Sequence, residues 1–222
     1  MIIYGSTISP YVRKAVAFAR EKGVEVEVRN AGMGRGGPDF EEASPFRKMP
    51  AMRDPDADGG RDFVISDSTA IVQYIDAKHP EPNLIPTDPI GRARATWFEE
   101  FGDTIVMAAG MKIFFNRFVA PKVLKSGGDL GLADAAERDE LPPVLDYLER
   151  VIPDSGFLVG DRFTLADIAV AAPFANYRWV GVAIDGTRFP RLTAYLDAIL
   201  ARPSLADLVA RDGETVRRML AT

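Results

Sequence analysis

The stretch "MIIYGSTISPYVRKAVAFAREKGVEVEVR", Met1 to Arg29, decides how the chain begins to fold. "MIIY" is a short apolar run suited to a buried strand. Three hydroxyls, Ser6, Thr7 and Ser9, then crowd the ground before Pro10. From Pro10 to Lys22, Val12, Val16 and Ala19 recur at helical spacing with Ala15 and Phe18 beside them, and Gly23 stops the run. "VEVEVR", residues 24–29, alternates strictly and predicts a second strand. Strand, helix, strand predicts a right-handed parallel βαβ unit.

Working outward, "NAGMGRGGPD" (30–39) reads as a plain glycine-rich loop, since it lacks the GK[ST] of a phosphate loop. Phe40 to Phe46 predicts a short helix. "PAMRD" and "DFVIS" flank the turn signal "PDADGG", which predicts a hairpin. In "DSTAIVQYIDAKH" the apolar Ala70, Ile71, Tyr74 and Ile75 fall at helical spacing, with Asp67 or Ser66 as N-cap. "HPEPNLIPTDP" holds four prolines in eleven residues, so it is neither helix nor central strand and reads as a linker. Beyond it the pattern is helical throughout. Ile90 to Phe118 predicts a long helix kinked near Gly110, and Ala133 to Val151 another, interrupted at Pro142 and Pro143. "FTLADIAVAAPFANYRWV" opens on Thr164 with Asp167 three residues on, a variant capping box. Pro190 and Pro203 suit the first position of further helices. The resulting organisation is an α/β domain over 1–78, a linker over 79–89 and an all-helical domain over 90–222.

Composition narrows the function. The 222 residues carry a net charge of −5, which lacks the basic footprint of a nucleic-acid binder. No apolar run reaches the length of a membrane span, and the amino-terminal order of apolar run before cations is wrong for a signal peptide. A cytoplasmic protein without nucleic-acid or membrane partners is expected. Zero cysteines removes disulfides, a CxxC pair and a cysteine nucleophile together. The single histidine, His79, lies at a helix end and reads as solvated rather than catalytic. No cluster has metal-ligand spacing, so no metal is expected.

Four segments, in order, carry a resemblance. "SPYVRK" (9–14) resembles the catalytic hydroxyl turn of the cytosolic glutathione transferase superfamily, and "RKMPAM" (47–52) its cis-proline segment. "SDSTAI" (66–71) resembles its acidic-serine motif, and "GFLVGDRFTLADIAV" (156–170) its helical-domain capping box. The chain is identified over nearly its whole length as a serine-type, bacterial-like member. The resemblance implies a thioredoxin-like βαβαββα domain followed by an all-α domain, glutathione as co-substrate, a homodimer, and detoxification chemistry on a hydrophobic electrophile.

The hydroxyls then acquire a purpose. A serine before a helix-initiating proline is a good N-cap, and the bland reading of "SP" is a helix start. A helix N-terminus also presents unpaired N–H groups and a positive dipole end, which stabilise an anion. The chain has no thiol, so the thiolate must come from glutathione. The resemblance places Ser9 beside it, with Ser6, Thr7 and Tyr4 as alternatives. It further implies a cis Met49–Pro50 peptide whose Met49 backbone pairs with the cysteinyl part of glutathione. Ser68 would hold the γ-glutamyl carboxylate and Asp67 its amine. Lys48, with Arg47 a weaker candidate, would hold the glycine carboxylate. Tyr11, Met107, Met111, Phe114, Phe115 and Trp179 are candidate walls for the electrophile between the domains, although Met and Phe at helical spacing are singly more often core. Ether cleavage, dehalogenation or isomerisation through the same thiolate, or a non-catalytic glutathione-binding or assembly role, are the alternatives. Thr164 and Asp167 read as folding residues, and Arg13 as a structural cation.

Overall fold

The computed structural model describes residues 1–222, which divide into two compact units, Met1–Leu84 and Ile85–Thr222. The first unit holds β1 (Ile2–Tyr4), α1 (Pro10–Glu21), β2 (Glu27–Arg29), α2 (Gly37–Ala43), β3 (Ala51–Asp54), β4 (Phe63–Ser66) and α3 (Ser68–Lys78). The sheet order is β2-β1-β3-β4, with β1 and β2 parallel and both other pairs antiparallel. This is the thioredoxin-like arrangement expected. Because side chains alternate along a strand, Tyr4 and Ala51 face α2, where they pack with Ala31, Phe40 and Ala43. Ile3 and Met52 face the other way and are fully buried on the side covered by α1 and α3, which pack on each other.

Two element bounds differ from expectation for identifiable reasons. The second strand begins only at Glu27, because Val24 N–H still bonds the Ala19 carbonyl at 2.9 Å as α1 closes, and pairing starts with Glu27 N–H to Met1 O. The helix expected from Phe40 runs instead from Gly37, where Pro38 occupies the first turn, and stops at Ala43. It cannot continue because the Ser44 hydroxyl turns to Lys48, donating to its carbonyl at 2.7 Å and accepting from its N–H at 3.0 Å.

Lys22, at the end of α1, is buried and holds the chain that follows α3. Its ammonium pairs with Asp76 at 2.5 Å and donates to the carbonyls of Pro80 and Pro82 at 3.0 and 2.7 Å. Glu81–Pro82 is cis. Residues 79–84 are thus a pinned strap of the first unit.

The second unit contains no strand. α4 (Pro89–Glu100) is capped by Asp88 and passes through a π-helical stretch (Phe101–Val106) into α5 (Met107–Phe114) and a second π-helical stretch (Phe115–Leu124). The wide register of the latter accommodates Pro121. Gly110 is a contact rather than a kink: a Cβ there would lie 2.1 Å from the Tyr177 ring, whose hydroxyl donates to the Val106 carbonyl. α6 (Leu130–Ala135) runs through a π-helical stretch (Ala136–Glu140) into α7 (Leu141–Val151). Pro142 and Pro143 open α7 directly after that stretch, where the α-helical register is interrupted as expected. α8 (Leu165–Trp179) is buried along nearly its whole length and carries the capping box, Thr164 N–H donating to Asp167 Oδ2 at 2.8 Å. α9 (Pro190–Leu200) starts at its proline as expected. Pro203 does not start a helix: it lies in the turn before α10 (Ala206–Ala221). No helix is long and apolar enough to cross a membrane.

Candidate active site

Strand register gathers the first-unit candidates. Tyr4 pairs with Ala51 and Ala51 with Ser66, so one row of residues marks a single end of three strands. Three segments meet at that end: Gly5–Ser9 leaving β1, Met49–Pro50 leading into β3, and Asp67–Ser68 leaving β4. Gly5 is where two of them touch. A Cβ there would lie 2.6 Å from Val12 Cγ2 and 3.2 Å from Met49 Cβ, and its φ of +146° suits glycine.

Ser9 occupies the N-cap of α1 with φ −70° and ψ 126°, and Pro10 opens the helix. Its backbone does the expected work, its N–H donating to Ser6 O and its carbonyl accepting Arg13 N–H, each at 2.9 Å. Its hydroxyl makes no capping bond to the helix. It is half-buried, as is Ser6, while Thr7 is buried. Arg13 is fully buried and donates to the Ile8 carbonyl at 3.2 Å, which holds the loop just ahead of Ser9. Tyr4 stands apart from these hydroxyls. Its ring is buried under α2, 6.2 Å from the Phe40 ring. Burial first, then the Asp39 charge, pushes its phenol pKa up against the opposing pull of Arg53 and Arg29.

Met49–Pro50 is cis, and the Pro50 carbonyl accepts Asp67 N–H at 3.2 Å, which carries the β3–β4 ladder one step past the strands. Asp67 sits at φ +89°, a conformation that costs a non-glycine residue about 1–3 kcal/mol. Its Oδ1 accepts from Thr69 and Ala70 N–H at 2.8 and 3.2 Å, the cap of α3. Its side chain is exposed, while Ser68, the first helical residue, is only 3% exposed. Lys48 is exposed beside Met49, and Arg47 is engaged with Glu41 at 3.0 Å. Two helix N-termini thus flank a cis-proline loop. Together they offer a hydroxyl, a backbone edge, a carboxylate and a cation within one end of the sheet, suited to a small peptide with an anionic group at each end.

Residues 30–39 are expected to be a plain glycine-rich loop. Folded, it places Gly32 directly on Met49, where a Cβ would lie 3.0 Å from Sδ. Only the glycine content of the loop hinted at a close approach.

The remaining candidates divide by burial. Tyr11 is half-buried on the first turn of α1. In the second unit Met107 and Phe114 are core residues, Phe114 lying 5.1 Å from Phe118. Met111 and Phe115, one helical turn apart, are exposed at 48% and 36%. Trp179 is half-buried, its indole against Gly213.

Residues 3–83 match the glutathione S-transferase N-terminal domain and residues 106–203 the glutathione S-transferase C-terminal domain. A glutathione S-transferase of Hyoscyamus muticus is 30% identical over 217 residues, covering 92% of this chain and 95% of that protein. The chain belongs to the glutathione S-transferase family. Among solved structures, a glutathione S-transferase from Methylobacterium radiotolerans in complex with glutathione sulfonate superposes with a TM-score of 0.73 at 30% identity, over 94% of this chain and 93% of that one. A stringent starvation protein A homolog of Coxiella burnetii is 24% identical, over 99% of this chain and 96% of its own length. Family membership accounts for the thioredoxin-like sheet of the first unit and the all-helical second unit.

Proposed function

We propose that this family member is a glutathione transferase that activates the glutathione thiolate at Ser9 and directs it at a hydrophobic electrophile. The observation that carries this reading is the Ser9 hydroxyl, which stands at the start of α1 and makes no capping bond to it, leaving the group to a ligand. Glutathione would lie along the end of the sheet, its cysteinyl amide paired with the Met49 backbone at the cis-Pro50 turn. Its γ-glutamyl carboxylate would meet Ser68 and the start of α3, its amine Asp67, and its glycine carboxylate Lys48. Residues 1–78 form the glutathione-binding part and 90–222 the helical part, joined by 79–89.

The chemistry follows from the hydroxyl and the helix end. The bound thiol gives its proton to solvent, because the Ser9 O–H and the α1 dipole stabilise the anion. The sulfur lone pair then forms the bond to carbon, and a leaving group departs with its bonding electrons. With an activated double bond, the neighbouring carbon instead takes up a proton. Met111 and Phe115, exposed one helical turn apart on the second unit, offer apolar surface to the electrophile. Ether cleavage and dehalogenation use the same thiolate with an aryloxide or halide as leaving group, whereas in isomerisation the thiolate adds and is then expelled, regenerating glutathione.

The protein works in the cytoplasm as a homodimer. Ile90, Trp97 and Ile105 recur along α4 and its continuation and are all exposed, an apolar stripe suited to a second copy. A non-catalytic glutathione-binding or assembly role is the second reading, kept because a relative matched over nearly the full length, a stringent starvation protein A homolog, has a name that states no transferase activity. Calorimetric titration with glutathione, paired with a conjugation assay on an aryl halide, separates the two. Binding with turnover supports the transferase, binding without turnover a non-catalytic glutathione-binding role, and no binding removes both of these and leaves an assembly role.

A further inference from the structure

Met49 is the residue through which the cis-proline loop would meet glutathione, and two glycines from different loops fix where it sits. Gly5 lies against its Cβ and Gly32 against the end of its side chain, where a Cβ would fall 3.0 Å from Sδ and 3.1 Å from Cε. Nine in ten real Cβ contacts are looser than this, so a side chain at position 32 requires the end of Met49 to give by a few tenths of an ångström. Gly32 is held in place in turn. Its N–H donates to Arg35 O at 3.0 Å and its carbonyl accepts Arg35 N–H at 3.1 Å. The two central residues, Met33 at φ 51° and Gly34 at φ 83°, are both left-handed, the signature of a tight type I′ turn. On the other side, Ser44 pins Lys48 by both backbone groups, so the chain cannot shift freely ahead of Met49.

We propose that Gly32 is a positioning residue for glutathione binding. The 32–35 turn is a buttress that sets the Met49 side chain, and through it the backbone that pairs with the cysteinyl unit of the peptide. This rests on the glutathione reading of the site. Gly34 supplies an internal control. It shares the turn and a φ near that of Gly32, +83° against +92°, but a Cβ there meets nothing within 4 Å. Gly34→Ala therefore strains the turn without touching Met49, and Gly32→Ala does both.

The test compares the full-length wild type with Gly32→Ala, Gly34→Ala, Met49→Ala and the Gly32→Ala/Met49→Ala double variant, by calorimetric titration with glutathione. Gly32→Ala is expected to weaken binding about tenfold and Gly34→Ala by less than about twofold, with similar losses of melting temperature. In the Met49→Ala background the effect of Gly32→Ala should shrink to within about twofold, since the contact is gone. In turnover with 1-chloro-2,4-dinitrobenzene, Gly32→Ala should raise KM for glutathione while leaving kcat within about twofold. Equal weakening by the two alanine variants, or an undiminished effect in the Met49→Ala background, would overturn the proposal. If Gly32→Ala fails to fold, Met49→Phe crowds the same contact from the other side, and unchanged binding there would overturn it equally. Wild type that binds glutathione while Gly32→Ala binds as well removes this inference alone. Wild type that does not bind glutathione removes the function on which it rests as well.

Discussion

Asp67 carries a structural and a ligand-binding role that substitution can separate. Its Oδ1 caps α3 through Thr69 and Ala70, and its backbone is held at φ +89°. Asp67→Ala removes the cap and keeps the strain, a loss of about 1–2 kcal/mol. Asp67→Gly removes the cap but relieves roughly 1 kcal/mol of strain, so the two effects nearly cancel. Asp67→Asn keeps an acceptor oxygen for the cap and a residue tolerant of positive φ, so stability should change little. It discards the charge, however. If the carboxylate pairs with the γ-glutamyl ammonium at this exposed position, glutathione affinity should fall by about 1–2 kcal/mol, five- to thirtyfold. Differential scanning calorimetry reads the first effect, at about 2–4 °C per kcal/mol, and isothermal titration reads the second. An Asn variant that melts like wild type and binds glutathione as tightly would refute the ligand role and leave Asp67 a cap alone. An Asn variant as unstable as Ala would refute the account of the cap.

Ser68→Ala should weaken glutathione binding by about 1–3 kcal/mol with little effect on the pKa of the bound thiol, measured by titration calorimetry. An unchanged dissociation constant would move the γ-glutamyl site elsewhere. Asp167 gives a pH signature in the second unit. Burial pushes its carboxyl up to about 6 against the N–H donors of Leu158 and Thr164. The folded state therefore holds a proton that the unfolded chain releases near 3.8. The stability that the protonated form contributes is complete below about pH 4 and is lost as pH rises through about 6. Relative to Asp167→Asn, which cannot titrate, wild type should lose denaturant stability across that window, and a constant gap would contradict the assignment.

The parts of the site that were legible in the sequence are those written in local helix grammar. Ser9–Pro10 and Asp67–Ser68 announce helix starts by residue type, and Asp167 three residues after Thr164 announces a capping box, because these devices act within one turn. The hairpin around "PDADGG" was equally local. What stayed hidden depends on partners far along the chain. Nothing near Gly32 says that Met49 will lie on it, and nothing near Gly110 says that Tyr177 will. The kink expected at Gly110 followed a sound local rule that a tertiary contact replaced. Nothing near Lys22, where the helical pattern of α1 ends, says that it will be buried with the carbonyls of Pro80 and Pro82 and the carboxylate of Asp76 converging on it. Tyr4 showed the same limit. Its place on β1 made it a candidate, but strand alternation turns its ring under α2, while α1 covers the opposite face.

The central claim is that Ser9 stabilises the thiolate of bound glutathione, and the ultraviolet absorbance of that thiolate, titrated against pH, tests it most directly. Wild type should show a bound thiol with a pKa well below its free value. Ser9→Ala should raise that pKa by one to two units, about 1.4 kcal/mol each, while the dissociation constant for the neutral thiol stays near wild type. Ser9→Thr, which keeps the hydroxyl, should restore most of the shift, so that loss of helix stability alone cannot mimic the result. A Ser9→Ala titration superimposable on wild type, with glutathione bound in both, would contradict the account, and a shift produced by Ser6→Ala, Thr7→Val or Tyr4→Phe would give the role to that hydroxyl instead.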